Sequence, residues 1–247
     1  MSNSYSPGRG ALQHAMDALS QLFADCREVL FVPYACGHHE QDAYTEAMRE
    51  ILAALDLQVT GAHRAANPLE ALAKADAVFV GGGNAFRLLR AVHLNGLLPA
   101  IQERVQAGMP YLGVSAGANL ACPTIRTTND MPIVQPATLR ALGLIPFQVN
   151  PHYPDARREG TPALHARDGR LDEFLEDNDV PVLGLCEGSW LRVRHGTHAR
   201  LEGDTGARLF TRSQEPREYR PGDDLSHLLR TRPHYDTTIP WHRHVSD

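Results

Sequence analysis

The sequence predicts an α/β fold: a mostly parallel sheet with helices on both faces. Short apolar runs alternate with segments of helical period along the first half of the chain. The runs are continuous rather than alternating, as in strands buried on both faces. One of them enters Gly113-Val-Ser-Ala-Gly117, the spacing of a sharp strand-to-helix corner with a serine at its apex. With 247 residues, 43% of them hydrophobic and 21% charged, the chain has enough material for one large domain.

The elements follow in order. Leu12, Met16, Leu19 and Phe23 fall on one helical face within residues 11–24. Residues 29–33 form a buried strand, and 40–55 return to helical period through Tyr44, Met48, Ile51, Leu52 and Leu55. Val59 and Gly61 sit in a short second strand. Pro68 suits the first turn of a helix over 69–73. Residues 77–80 make a third strand ending in Gly81-Gly-Gly-Asn84, followed by a helix carrying Phe86, Leu88 and Leu89. A helix over 97–107 is stopped by Gly108 and Pro110, and the strand of the serine corner comes next. Further on, 182–186 reads as one more buried strand. Residues 190–194 and 199–201 read as an antiparallel hairpin, and 207–210 as a further strand. After Pro221 the sequence turns polar and rich in Arg, His and Asp. The expected organisation is one α/β domain over 1–223 and a loosely attached polar tail over 224–247.

Composition narrows the function. A net charge of −5 gives no reason to expect nucleic acid or an anionic membrane as partner. No apolar run approaches a membrane span and the first ten residues do not read as a signal peptide, so a cytoplasmic protein is the default. Cys26, Cys36, Cys122 and Cys186 lack C-x-x-C spacing and sit among small or apolar residues, which favours buried thiols over disulfides or zinc ligands. His38 and His39 are adjacent, and His242 and His244 lie in the expected tail. No H-x-x-x-H helix accompanies them, and no metal is expected.

The chemistry gathers at strand carboxyl ends, where sites form in parallel sheets. Gly81-Gly-Gly-Asn84 and Ser115 both lie there. Glycines at 113 and 117 suit a corner in which a Cβ would clash with the neighbouring strand or the helix start. A nucleophilic serine needs a base, and the base an orienting group. Asp130 is the only carboxylate between Glu103 and Asp155, and within Phe147-Gln-Val-Asn-Pro-His-Tyr153, a short strand entering a turn, His152 sits just past the strand's end. Read alone, these residues leave other roles open. Asp130 equally fits a turn cap, and His152 is one of 13 histidines. An acid only 15 residues beyond the serine leaves no room for the β–α units of an α/β-hydrolase, so a shorter, flavodoxin-like sheet is needed.

Residues 115–133, Ser-Ala-Gly-Ala-Asn-Leu-Ala-Cys-Pro-Thr-Ile-Arg-Thr-Thr-Asn-Asp-Met-Pro-Ile, closely resemble the α-aspartyl dipeptidases of the S51 serine peptidase family. The likeness extends to 80–86, 148–152 and 184–190, and more weakly over about residues 2–220. It implies a flavodoxin-like fold related to class I glutamine amidotransferases. It also implies a triad of Ser115, Asp130 and His152, and an oxyanion hole from the N–H groups of Gly83 and Ala116. The implied activity is hydrolysis of dipeptides with N-terminal aspartate, without cofactor or metal. The family's specificity arginine maps to Arg167, within His165-Ala-Arg-Asp168 ahead of a helix expected over 170–177, with Arg170 as the fallback. A carboxylate for the substrate ammonium is not selected by the sequence, although Glu187 is conceivable. The chain also begins at the segment that follows the family's first strand, so the sheet is expected to have an open edge or an altered partner interface there. The oligomeric state stays open and leaves room for a homodimer. A cyanophycin-type hydrolase of the same family, another serine esterase or amidase, and a non-catalytic amidotransferase-like binding domain are the competing readings.

Overall fold

The structure, a computed structural model, describes residues 1–4, 9–155 and 161–237. The first half winds β1 (Glu28–Val32), α2 (Gln41–Leu52), β2 (Gln58–Gly61), α3 (Pro68–Lys74), β3 (Ala77–Val80), α4 (Ala85–Leu94), α5 (Leu97–Gln106), β4 (Tyr111–Gly113) and α6 (Ala116–Ala121) behind α1 (Met16–Leu22). Strands pair in the order β2-β1-β3-β4, all parallel. Period-two alternation assigns each face. Leu30, Val32, Val78 and Val80 pack under α3–α6, against Leu72, Leu88, Leu89, Ile101 and Leu120. Val29, Phe31, Ala77 and Phe79 pack on the other face, against Leu19, Met48 and Leu52. The helix starts are local: Asn67 Oδ1 accepts from Leu69 N–H with Pro68 beside it, and Asn84 Oδ1 accepts from Phe86 and Arg87 N–H.

The second half contributes β5 (Gln148–Tyr153), α7 (Thr161–Asp177), β6 (Val182–Cys186), β7 (Ser189–Arg194), β8 (His198–Gly203), β9 (Ala207–Phe210) and β10 (Arg217–Tyr219). Four of these pair in the order β10-β9-β6-β5, with β5 and β6 parallel and β9 and β10 antiparallel. The pair β7–β8 is a separate antiparallel hairpin, as its alternation predicts. Hydrogen bonding thus divides the described strands into two sheets of four and one pair. Met1 and Ser2 bridge the end of β4 to β5 and β6. The Met1 amino group donates to Gly113 O at 2.7 Å and Met1 O accepts from Ser115 N–H at 3.1 Å. Ser2 Oγ donates to Leu185 O and accepts from His152 N–H, both at 2.8 Å. The edge expected to be open therefore carries these contacts at its carboxyl end.

Two expectations are corrected. Residues 224–237 are not loosely attached: Leu225 and Leu228 are buried against β8 and Leu183, His234 pairs with Asp179, and Asp236 bridges Arg126. The polar composition hides two apolar anchors, while 238–247 lie outside the described residues. The helix expected over 170–177 instead runs Thr161–Asp177, which places Arg167 within it. Among the described residues no disulfide joins the four cysteines; Cys122 and Cys186 are buried and Cys26 and Cys36 half-buried. No helix among them is long and apolar enough to cross a membrane.

Candidate active site

Ser115 stands between β4 and α6 with φ 54° and ψ −111°, a strained backbone for a residue with a side chain. The flanking glycines make that turn feasible. A Cβ on Gly113 would lie 2.4 Å from Gly117 O, and one on Gly117 would lie 2.3 Å from Val80 O on β3. Strand, corner and helix can approach this closely only without side chains. The Tyr111 hydroxyl, buried and with its pKa pushed well up by desolvation, ties strand to helix by donating to Gly117 O at 2.7 Å.

The Ser115 hydroxyl meets His152 Nε2 at 2.8 Å. His152 belongs to β5, where a register irregularity between Pro151 and Tyr153 and a φ of 55° turn its side chain toward the serine. Two contacts fix its backbone: Ser2 Oγ takes its N–H, and Arg167 Nη1 donates to its carbonyl at 3.2 Å while also donating to Asn150 Oδ1 at 2.9 Å. The Tyr153 hydroxyl donates to Asp168, which docks α7 against the same strand.

The other imidazole nitrogen decides the orienting acid. His152 Nδ1 lies 2.8 Å from Glu187 Oε1. Glu187 follows the last residue of β6, and Thr205 Oγ1 holds its carbonyl at 2.6 Å. With Nδ1–H donated to that carboxylate, Nε2 is left to accept the serine proton. This corrects the expectation for Asp130. Among the described residues no hydrogen bond joins Asp130 to His152. Its Oδ2 instead accepts from Ala85 N–H at 2.7 Å and from Thr128 Oγ1 at 3.0 Å, which secures the 128–131 loop to the first turn of α4. The physical reason is position. Asp130 is held at the start of α4 on the β3 side, while β6 delivers Glu187 directly beside β5. Glu187 carried a signal in the sequence, a lone carboxylate at the carboxyl end of a buried strand.

The glycine loop reaches the serine as its spacing predicts. A Cβ on Gly82 would lie 3.1 Å from Ser115 Cβ. Gly83 has φ 133° and its missing Cβ would fall 2.4 Å from Ala35 O, so only glycine fits. The Tyr44 hydroxyl accepts from Gly82 N–H at 3.1 Å. The N–H groups of Gly83 and Ala116 make no hydrogen bond among the described residues, whereas the Ser115 N–H is taken by Met1 O. Ser115, His152, Gly83, Tyr44, Asn129 and Asp130 border one cavity of about 490 Å³. Arg167 and Arg170 do not line it. A larger groove between α1 and β7–β8 holds no nucleophile–base pair.

A strained serine hydrogen-bonded to an imidazole, itself held by a carboxylate, is the apparatus of acyl transfer. The profile of peptidase family S51 matches residues 1–201. This chain belongs to peptidase family S51. It is accordingly a serine peptidase. Peptidase E of Streptomyces coelicolor is 52% identical over 237 residues, covering 96% of both chains. Peptidase E of Salmonella typhimurium is 44% identical over 216 residues, 87% of this S51 chain and 93% of the relative. Among solved structures, a peptidase from an acI-B1 actinobacterium shares the fold with a TM-score of 0.63 at 16% identity, over 86% of this chain and 91% of that one. A putative peptidase E from Listeria monocytogenes has a TM-score of 0.56 at 24% identity, over 83% and 92%.

Proposed function

We propose that this peptidase hydrolyses dipeptides with N-terminal aspartate through an acyl-enzyme. The observation that carries the chemistry is the 2.8 Å contact between Ser115 Oγ and His152 Nε2 on the strained corner. The likeness to proteins named Peptidase E supports the substrate. His152 takes the Ser115 proton as Oγ bonds the aspartyl carbonyl carbon. The carbonyl oxygen becomes an oxyanion, held by the Gly83 and Ala116 N–H groups, each worth roughly 3–4 kcal/mol in such holes. His152 then gives its proton to the leaving amine as the C–N bond breaks. Water, deprotonated by His152, attacks the resulting ester and releases aspartate, restoring the serine. Glu187 is the positioning residue throughout, holding the imidazole tautomer and the transient imidazolium. Arg167, outside the lining of the Ser115 cavity but bonded to the carbonyl of the base residue, is assigned as the cation that reaches the substrate β-carboxylate from beyond that lining; its fork suits that group and not a neutral amide. The reading places the enzyme in the cytoplasm, acting on small peptides.

The test is product analysis with Asp-Leu, Glu-Leu, Asn-Leu and Asp-Leu-Leu, beside Ser115→Ala. Leucine released from Asp-Leu alone, and lost with the serine, is the expected result. Turnover of Asn-Leu as fast as Asp-Leu would remove the charge-based specificity and Arg167 with it. No turnover of any of the four by folded protein would overturn the dipeptidase reading.

A further inference from the structure

We infer that Asp130 recognises the free α-ammonium of the substrate's N-terminal residue, a role that rests on the dipeptidase reading. Three observations converge on it. First, Asp130 is released from orienting His152, because Glu187 occupies that position at 2.8 Å. Second, it borders the same cavity as Ser115 and His152, and among the described lining residues it is the one carboxylate and there is no Lys or Arg.

Third, its carboxylate is rigidly held yet half unused. Oδ2 takes both the Ala85 N–H and the Thr128 hydroxyl, while Oδ1 makes no hydrogen bond among the described residues. The loop around it is clamped on both sides. Asn84 Nδ2 donates to Met131 O at 2.8 Å, Asn129 Nδ2 donates to Pro151 O at 2.9 Å, and Asn150 Nδ2 donates to Asn129 Oδ1 at 2.8 Å. These contacts tie Asp130 to the strand that carries His152 and to the helix that follows the glycine loop.

A carboxylate fixed at the wall of the nucleophile's cavity, with no Lys or Arg among the described lining residues to pair with it, calls for a positive ligand group. In an aminoacyl substrate the ammonium sits one carbon from the scissile carbonyl. A carboxylate bordering the nucleophile's cavity therefore reads it while Ser115 reads the carbonyl. The same group gives a reason for acting only at a free N-terminus: an acylated amine has no charge to offer and leaves Asp130 desolvated and unpaired.

Succinyl-leucine tests this, because it is Asp-Leu with the ammonium replaced by hydrogen. Wild-type enzyme is expected to favour Asp-Leu by about 30-fold or more in kcat/KM, the scale of a hydrogen bond to a charged group. Asp130→Asn is expected to lose most of that preference through KM on Asp-Leu, with succinyl-leucine changed less than about threefold and kcat on both largely kept. Asp130→Glu should recover part of the preference. A second measurement needs no variant: free aspartate should inhibit wild-type enzyme far better than succinate. Equal inhibition by the two, an unaltered preference in Asp130→Asn, or an equal collapse of kcat on both substrates overturns the assignment while leaving the dipeptidase reading standing. Failure of wild-type enzyme to cleave Asp-Leu overturns both.

Discussion

Replacing Glu187 by glutamine keeps the shape of the side chain and removes the charge facing His152. The carboxylate oxygen lies 2.8 Å from Nδ1, and in the transition state that ring carries a full positive charge. At this separation the attraction is ~1.5 kcal/mol at the dielectric of water and ~6 kcal/mol at an effective dielectric of about 20. Exposure decides between them. The side chains of His152 and Glu187 are 41% and 54% accessible, so water shares the field and the figure falls in the range of about 2–4 kcal/mol. The expected loss is roughly 30- to 1000-fold in kcat. That is smaller than the roughly 10⁴-fold loss for a buried triad aspartate changed to asparagine. KM should stay within about threefold, because Glu187 touches no substrate. Steady-state kinetics on Asp-Leu provides the assay, and Glu187→Asp should restore part of kcat. If Glu187→Gln kept wild-type kcat while Asp130→Asn lost about 10⁴-fold on every substrate, the orienting role would pass back to Asp130 and the geometric argument would fail.

Gly83→Ala places a Cβ 2.4 Å from Ala35 O at a φ that side chains rarely adopt, so the loop and its N–H must move. We expect a loss of about 100- to 1000-fold in kcat with the circular dichroism spectrum retained, and near-wild-type turnover would count against Gly83 as an oxyanion donor. Leu228→Ala removes a fully packed side chain and should cost about 2–4 kcal/mol, or roughly 5–10 °C in Tm. A Tm unchanged within about 2 °C would mean that this segment contributes nothing to the core. His14 and His93 have their pKa values lowered from 6.5, chiefly by burial. Between those folded values and 6.5 the unfolded chain binds more protons, so their stability contribution is complete above about pH 6.5 and is lost as the pH falls. Urea unfolding from pH 7.5 to 5.5 should show a decline of at most ~1.4 kcal/mol per pH unit for each histidine, flattened in His14→Phe; stability that rises on acidification would contradict this.

Much of this protein is written in short stretches of its sequence. The corner at Ser115 is legible because the requirement is steric and local: Gly113 and Gly117 stand where β4, α6 and β3 come within 2.4 Å of missing Cβ atoms. The strands β1 and β3 are legible from unbroken apolar runs, and the starts of α3 and α4 from Pro68 and from the polar residue closing the glycine loop. Ser115 and His152 both follow from being placed at strand carboxyl ends. The choice of acid does not. Asp130, in the loop after α6, and Glu187, just beyond β6, are both candidate carboxylates, and only the pairing of β5 with β6 and the turn at His152 determine which faces the imidazole. The same holds for residues 224–237, whose polar composition conceals Leu225 and Leu228 until a distant hairpin supplies the surface they cover. Turn sterics and periodicity depend on neighbours a few residues away, so sequence alone determines them. Which charge meets which ring depends on register and twist between segments far apart in the chain, and these exist only once the sheets have assembled.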